Sequence, residues 1–278
     1  MRNGTPADRI PPPPAHSRFA SPVVLLQGFA VITVGIDLSA EPKKTAIATI
    51  RWQHDTAVVT GLDLNCTDTK IIESIIASDK TGIDCPLGWP DAFVDFVHEH
   101  RDGAVTVPSG MSGKEWRREL TLRVTDLAVQ RDTAITPMRV SADLIAHPAM
   151  RCAGLLSQLA DQGYPVDRAG TGPLAEVYPA ATLKLWGFAY TKYKRDESIR
   201  AELITSLTRA APWFDLADFA DLCQQSDDAL DAVVASLAAR AVALGLTTTP
   251  PPEHLATAQR EGWIALPTGP LAALDPQT

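Results

Sequence analysis

The chain has 278 residues, a hydrophobic share of 45% and a formal net charge of −8, from 25 Lys and Arg against 33 Asp and Glu. This composition is typical of an ordinary soluble globular protein, which can bury a substantial core without disulfides or a structural metal. The acidic balance excludes binding to nucleic acid or membrane through bulk positive charge, because such binding needs Lys and Arg against phosphate, but it allows a local basic groove.

The cysteines are isolated residues and form no motif. No C-x-x-C pair is present among Cys66, Cys85, Cys152 and Cys223, which argues against a zinc ribbon or a dense disulfide framework. A reducing, cytoplasmic setting is therefore the expected location.

The N-terminal segment at 1–22 contains four consecutive prolines at positions 11–14 and is predicted to be a disordered extension. The apolar run at 23–34 is interrupted by Gln27 and Gly28, and it is too short for a membrane span, which takes ~20 residues. A secretory signal is the alternative, but no A-x-A-like cleavage site follows the run. We therefore expect no contact with a membrane.

A β-meander is predicted after this run. β-Branched and apolar residues at 31–37, 45–52 and 56–64 are separated by short links, a pattern that predicts three antiparallel strands. A helix at 71–77 and a fourth strand at 82–84 follow, so the connection to the fourth strand is a crossover.

The rest of the chain is mainly helical. Helices are predicted at 90–100, 113–130, 148–162, 180–186, 197–209 and 227–244, and strands at 174–178 and, as a short terminal one, 262–264. The apolar residues of 227–244 repeat at i, i+3 and i+4, which predicts one buried stripe.

These elements predict an α/β fold in a single domain at 23–268. Its five-stranded mixed sheet combines the antiparallel meander with parallel strands, is flanked by helices, and carries a helical insertion at about 90–165. A flexible tail is expected at 269–278.

Five carboxylates occupy apolar segments. They are Asp37 and Asp84, each at the end of a strand, Glu176 within the strand at 174–178, and Asp228 and Asp231 at the start of the long helix. Each also has a purely structural interpretation, because a strand-terminal Asp can cap a turn and an Asp in the first helical turn is favoured by the helix dipole.

The combination of these carboxylates is more informative than any one of them. If the first and fourth strands are neighbours, Asp37 and Asp84 end at the same sheet edge. Carboxylates ~4 Å apart repel by several kcal/mol even at an effective dielectric near 20, so a cation is needed between them. Asp228 and Asp231 share one helix face and can join the same cluster. Oxygen ligands of this kind favour Mg²⁺ or Mn²⁺.

Six segments carry a resemblance to a known family. They are GIDLS at 35–39, GIDCPLGWP at 82–90, RVTD at 123–126, AEVYPA at 175–180, DDALDA at 227–232 and EGWI at 261–264. In this order, from about 31 to 267, the chain resembles the family catalogued as domain of unknown function 429, described as predicted nucleases of the RNase H-like fold. The acidic helix is also similar to the last helix of Holliday-junction resolvases.

The resemblance implies a two-metal phosphodiester hydrolase. Asp37 would bridge two Mg²⁺ or Mn²⁺ ions, Asp84 and Glu176 would hold one side, and Asp228 or Asp231 the other. Glu176 has an alternative role as the partner of a basic residue.

Basic residues suggest where a substrate would bind. The insertion carries Arg117, Arg118, Arg123, Arg131 and Arg139, and a second cluster contains Lys184 and Lys194 beside aromatic residues. Phosphate neutralisation and base stacking favour Arg123, Lys184 and Lys194 as substrate-binding residues. The alternative is an ordinary charged surface, and for Arg123 a pair with Asp126.

The sequence thus favours metal-dependent phosphodiester hydrolysis, with nucleic acid or a smaller phosphodiester as substrate and an undetermined oligomeric state. One alternative is an ATP-dependent phosphotransferase of the actin-like fold, although no second Gly-rich phosphate loop is present. The other is a non-catalytic module that binds a nucleotide or a protein.

Overall fold

The computed structural model describes residues 30–277, so the predicted extension at 1–22 lies outside the described part of the chain. The strands are β1 (Val31–Asp37), β2 (Ala46–Trp52), β3 (Ala57–Leu64), β4 (Lys80–Asp84), β5 (Leu174–Glu176) and β6 (Phe214–Asp215). The α-helices are α1 (Asp68–Ile76), α2 (Asp91–Arg101), α3 (Gly113–Glu119), α4 (Val124–Thr133), α5 (Ala146–Asp161), α6 (Pro179–Leu185), α7 (Glu197–Ala210), α8 (Ala220–Gln225), α9 (Asp227–Ala243) and α10 (Leu255–Glu261).

The strands form one mixed sheet in the order β5-β4-β1-β2-β3-β6. The meander of β1, β2 and β3 is antiparallel, and β4 lies parallel to β1, as the sequence predicts. The predicted count of five strands was wrong, because β6 adds a sixth that pairs in parallel with β3. A two-residue strand is too short to show a periodic pattern. The predicted terminal strand at 262–264 is reduced to a single bridge between Ile264 and Glu176.

Helix α9 crosses one face of the sheet and contacts β1, β2 and β4. It approaches closely because Gly35 on β1 has no side chain: a Cβ there would lie 2.0 Å from the carbonyl oxygen of Ala232. A buried hydrogen bond of 2.8 Å joins the hydroxyls of Thr33 and Ser236, and the Trp52 indole N–H donates to Thr33. These contacts determine which face of α9 meets the sheet.

Helices α1 and α5 cover the other face. Their buried residues form a core cluster with Val34, Ile36 and Ile83 from the central strands. Successive side chains of a strand point to opposite faces, so the residues that alternate with these three lie on the α9 side.

The insertion between β4 and β5 contains α2, α3, α4 and α5. The predicted continuous helix at 113–130 was wrong, because α3 ends at Glu119 and α4 begins at Val124. The Arg123 backbone N–H donates to the Asp126 carboxylate, 2.9 Å away, and this contact starts the second helix. Local side-chain hydrogen bonds of this kind compete with continuation of a helix.

The C-terminal segment is packed rather than free, which corrects the predicted flexible tail over its described part, 269–277. A short 3-10 helix at Leu271–Leu274 buries Leu271 and Leu274 in the same core as α9. Among the described helices, none has both the length and the apolar character that a membrane span requires.

Candidate metal centre

Three of the predicted carboxylates meet at one end of the sheet. Oxygen atoms of Asp37, Asp84 and Asp231 all lie within 4.8 Å of one another. Asp37 and Asp84 are register partners at the ends of the parallel strands β1 and β4. They alternate with Ile36 and Ile83 and therefore face α9. Helix α9 supplies Asp231, so this cluster joins two strands and one helix.

Asp231 is held by two side chains of the loop between α6 and α7. The Tyr193 hydroxyl donates to Asp231 Oδ1 over 2.7 Å, and Lys194 Nζ lies 2.6 Å from Asp231 Oδ2. Asp231 is 1% exposed, whereas 48% of the Lys194 side chain is exposed. Lys194, a predicted substrate-binding residue, thus reaches the cluster with its ammonium group.

The electrostatics of the cluster favour an added proton or cation. Burial, followed by the nearby Asp231, raises the pKa of Asp84 from 3.8 to about 7, although Lys194 opposes the shift. Burial together with Asp231 and Asp84 raises the pKa of Asp37 well above its ordinary value. Because one ammonium group cannot balance three carboxylates, the site is short of positive charge. Its all-oxygen donor set suits a hard divalent cation such as Mg²⁺ or Mn²⁺.

Asp228 lies at the edge of the same site. It is partly buried, lines the cavity above the carboxylates and precedes Asp231 by three residues on α9. Its oxygens do not belong to the group of Asp37, Asp84 and Asp231. Burial and the neighbouring Asp227 and Asp231 raise its pKa.

Glu176 borders the cavity above the carboxylates, and its charge helps to raise the pKa of Asp84, but its side chain leaves the sheet on the opposite face from the cluster. In the β4–β5 register Glu176 pairs with Ile83, whose side chain belongs to the core on the α1 and α5 side. Its carboxylate accepts hydrogen bonds of 2.8 and 2.7 Å from Arg123, and one of 3.0 Å from the Leu87 backbone N–H. Of the two roles considered for Glu176, the observed one is therefore the pair with a basic residue.

Arg123 borders the same cavity, but it is buried and has no N–H donor left for a substrate. It is 1% exposed. Its five N–H donors reach the Asp126 carboxylate, the Glu176 carboxylate and the Glu261 carbonyl oxygen. The predicted substrate contact of Arg123 is thus replaced by a structural ion network. The presence of Asp126 three residues later was the sequence signal for this alternative.

Lys184 lies apart from the carboxylates. It is on α6, with its Nζ atom 4.8 Å from the centre of the Tyr190 ring, and it does not line the cavity described below. A cation–π contact of this kind accounts for the position of its ammonium group.

A cavity of about 460 Å³ opens above the cluster, and we call it the carboxylate cavity. Asp37, Asp84 and Asp228 lie on one side of it, and Lys44 and Lys194 supply positive charge. Met138, Ile145 and Pro148 form an apolar wall. Lys44, Met138 and Tyr193 belong to the site but are not among the residues predicted from the sequence. Of the three, only Tyr193 could have been found there, because it stands next to Lys194 in the second basic cluster.

The raised carboxyl pKa values predict how stability depends on pH without metal. Folded Asp84 binds its proton more tightly than the unfolded chain does, so its stabilising contribution is present below pH 3.8 and is lost as the pH rises through about 7. Asp84→Asn should therefore raise the free energy of unfolding by about 1–3 kcal/mol at pH 8 and change it little at pH 4.

Thermal unfolding in EDTA at both pH values measures this effect. Asp63→Asn is the matched control, because Asp63 is an exposed carboxylate paired with Lys70. Added Mn²⁺ should raise the melting temperature of the parent more at pH 8 than at pH 4, since the cation replaces the proton. Equal stability changes in Asp84→Asn and Asp63→Asn at pH 8 would contradict the prediction.

Comparison with known proteins places the chain in a family. No curated protein and no solved structure matches the chain. One family model, described as a protein of unknown function (DUF429), matches residues 35–255. This range contains all three clustered carboxylates and covers most of the described residues. The chain therefore belongs to the DUF429 family.

Proposed function

We propose that the protein is a divalent-metal-dependent phosphodiester hydrolase, a nuclease of the RNase H-like type. The observation that carries this proposal is the convergence of Asp37, Asp84 and Asp231 within 4.8 Å of one another, beside an open cavity that Asp37 and Asp84 line. Carboxylates from separate elements are costly to bring together. A site that gathers three of them and leaves them short of positive charge is suited to divalent cations.

The residues of the chain have distinct roles in this proposal. Asp37, Asp84 and Asp231 would hold two Mg²⁺ or Mn²⁺ ions, and Asp228 can complete the site at the rim. Ions bound there would activate a water molecule for attack and stabilise negative charge on the departing oxygen. Tyr193 orients Asp231 through its hydrogen bond. Lys194 would turn from Asp231 towards a substrate phosphate once metal neutralises the carboxylates.

The topology supports the RNase H-like part of the proposal. An antiparallel meander is followed by two strands parallel to its first strand, and the late helix α9 lies across them. In such a sheet the C-terminal ends of β1 and β4 bring their last residues to one edge. The acidic start of α9 reaches that edge, as the similarity to the last helix of Holliday-junction resolvases leads us to expect.

A hydrolysis panel tests the function. The full chain is incubated with Mg²⁺ or Mn²⁺ and labelled single-stranded, duplex, hybrid and branched nucleic acids, and with the small diester bis-p-nitrophenyl phosphate. We expect metal-dependent cleavage of at least one substrate. Asp37→Asn should lose at least about 100-fold in rate, because it removes a charged ligand from the reacting site. Asp63→Asn is the surface control and should retain the parental rate.

Several outcomes would count against the proposal. Equal cleavage by the parent and Asp37→Asn would identify a contaminant or a misplaced site. Calorimetric titration with Mn²⁺ that detects no binding to the parent would eliminate the metal mechanism. Metal binding that requires ATP would favour the phosphotransferase alternative.

A further inference from the structure

A second large cavity lies beside the carboxylate cavity, on the surface of the insertion. Its volume is about 700 Å³, and we call it the basic cavity. Four cations line it: Lys114, Arg117, Arg118 and Arg139. The carboxylate among its lining residues is Glu115, which accepts the backbone N–H of Ser112 over 2.8 Å in the capping box of α3. The cavity therefore carries a marked excess of positive charge on an acidic protein.

The charge of the basic cavity is not compensated by ion pairs. Within residues 30–277, none of the four lining cations is within ion-pair distance of a carboxylate, whereas other surface arginines such as Arg131 and Arg260 are paired. Asp143, the acidic residue nearest to Arg139 in sequence, accepts the Arg139 backbone N–H instead. Arg118 is oriented by a hydrogen bond of 3.1 Å to Gln130. Exposed cations that repel one another without partners are typical of a surface that binds a polyanion.

The two cavities share a wall. Thr136 and Arg139 line the basic cavity, while Pro137 and Met138, between them in sequence, line the carboxylate cavity. A ligand can therefore occupy both cavities by crossing the segment 136–139. A small phosphodiester would occupy only one of them, whereas a chain of repeated phosphates would reach both.

We propose that the basic cavity binds the phosphate backbone of a single-stranded nucleic acid whose adjoining nucleotide enters the carboxylate cavity. The entry of a nucleotide into the carboxylate cavity rests on the proposed function, whereas strand binding in the basic cavity does not. Single strands are favoured because Asp37 and Asp84 line a cavity of about 460 Å³, a volume in the range of small-ligand sites and too small to admit a duplex. Met138 is 56% exposed on the shared wall and provides an apolar surface for a base.

Binding without catalysis tests this inference. Fluorescence anisotropy of a labelled 20-nucleotide oligothymidylate is measured in EDTA with the full chain over a range of salt concentrations. The variant Arg117→Gln/Arg139→Gln removes two cations from the basic cavity. The control Arg51→Gln/Arg209→Gln removes two exposed arginines that do not line it, so the net charge is the same in both variants.

We expect the cavity variant to reduce the slope of log K against log salt by about 1.4, that is ~0.7 for each lost phosphate contact on a single strand. This corresponds to affinity about 10- to 30-fold weaker at 0.1 M salt, with the control close to the parent. All four substitutions are at exposed positions, and equal melting temperatures confirm that the variants fold.

Equal affinities and slopes for the two double variants would overturn the inference, as would a parent that does not bind the strand or that binds duplex more tightly.

Failure of the strand site is distinguishable from failure of the proposed function. Hydrolysis of bis-p-nitrophenyl phosphate by the parent, combined with unchanged strand binding by the cavity variant, refutes only the strand site. Weakened strand binding by the cavity variant, with no hydrolysis of any substrate by the parent, supports the strand site and refutes the hydrolase.

Discussion

Replacing Arg123 with alanine should lower the free energy of unfolding by about 3–5 kcal/mol, the cost of removing one partner from a buried ion pair. The change leaves the carboxylates of Asp126 and Glu176 buried without the guanidinium that neutralises them. Burial raises the pKa of Glu176, and Arg123 is the main influence that lowers it. Without Arg123, folding must either desolvate a bare carboxylate or take up a proton.

The Arg123 network also connects several elements. Arg123 donates to the carbonyl oxygen of Glu261, whose carboxylate accepts the backbone N–H groups of Asp91 and Val124 at the starts of α2 and α4. Its loss should therefore loosen the insertion around the carboxylate cavity as well as the end of β5.

Denaturant unfolding measures the effect, with Arg131→Ala as the control. Arg131 forms an exposed ion pair with Asp132, so its loss should change the free energy of unfolding much less than the loss of Arg123 does. Arg123→Lys should recover only part of the stability, because an ammonium group cannot satisfy the acceptors that the planar guanidinium reaches. An Arg123→Ala variant as stable as Arg131→Ala would show that the network contributes little.

Gly35→Ala should destabilise the protein by at least about 3 kcal/mol, at the upper end of the usual cost of overpacking. The added Cβ would lie 2.0 Å from the Ala232 carbonyl oxygen and 2.2 Å from the Ser236 backbone nitrogen. Both atoms belong to the backbone of α9, so no change of side-chain rotamer relieves the overlap. The helix must move away from the sheet, and Asp231 moves with it. Hydrolysis should therefore fall together with stability.

Gly61→Ala is a matched control for this prediction. Gly61 is also in a strand of the sheet, but its nearest neighbour to a new Cβ is the Thr49 side chain at 3.8 Å, an ordinary contact. Its substitution should change the free energy of unfolding by less than about 1 kcal/mol. Equal denaturation midpoints for the two variants would contradict the close packing of α9 on β1.

Much of the sheet can be predicted from the pattern of residues alone. The meander and the neighbouring β1 and β4 follow from apolar segments of strand length and a crossover helix. Asp37 and Asp84 come together for the same reason, since each is the last residue of its strand. Strand β6 could not be predicted, because its pairing depends on β3 rather than on any pattern of its own.

The role of Glu176 depended on register. An acidic residue in a buried strand is compatible with either face of the sheet, and a shift of one residue exchanges the two faces. Pairing with Ile83 directs Glu176 away from Asp37 and towards Arg123. The break between α3 and α4 also depends on a side-chain contact, because the hydrogen bond between the Arg123 backbone N–H and Asp126 starts α4 after α3 has ended at Glu119.

The sequence by itself determined the α/β class, the strand-terminal positions of Asp37 and Asp84, and the acidic start of the long helix, because local periodicity and composition carry these features. Only the tertiary structure decided which carboxylates share a site and which cations stay unpaired. Those outcomes depend on strand register, on the close approach of α9 at Gly35, and on the meeting of α3 with residues 136–139 at the basic cavity. Such contacts join residues far apart in the chain, and no local pattern encodes the distance between them.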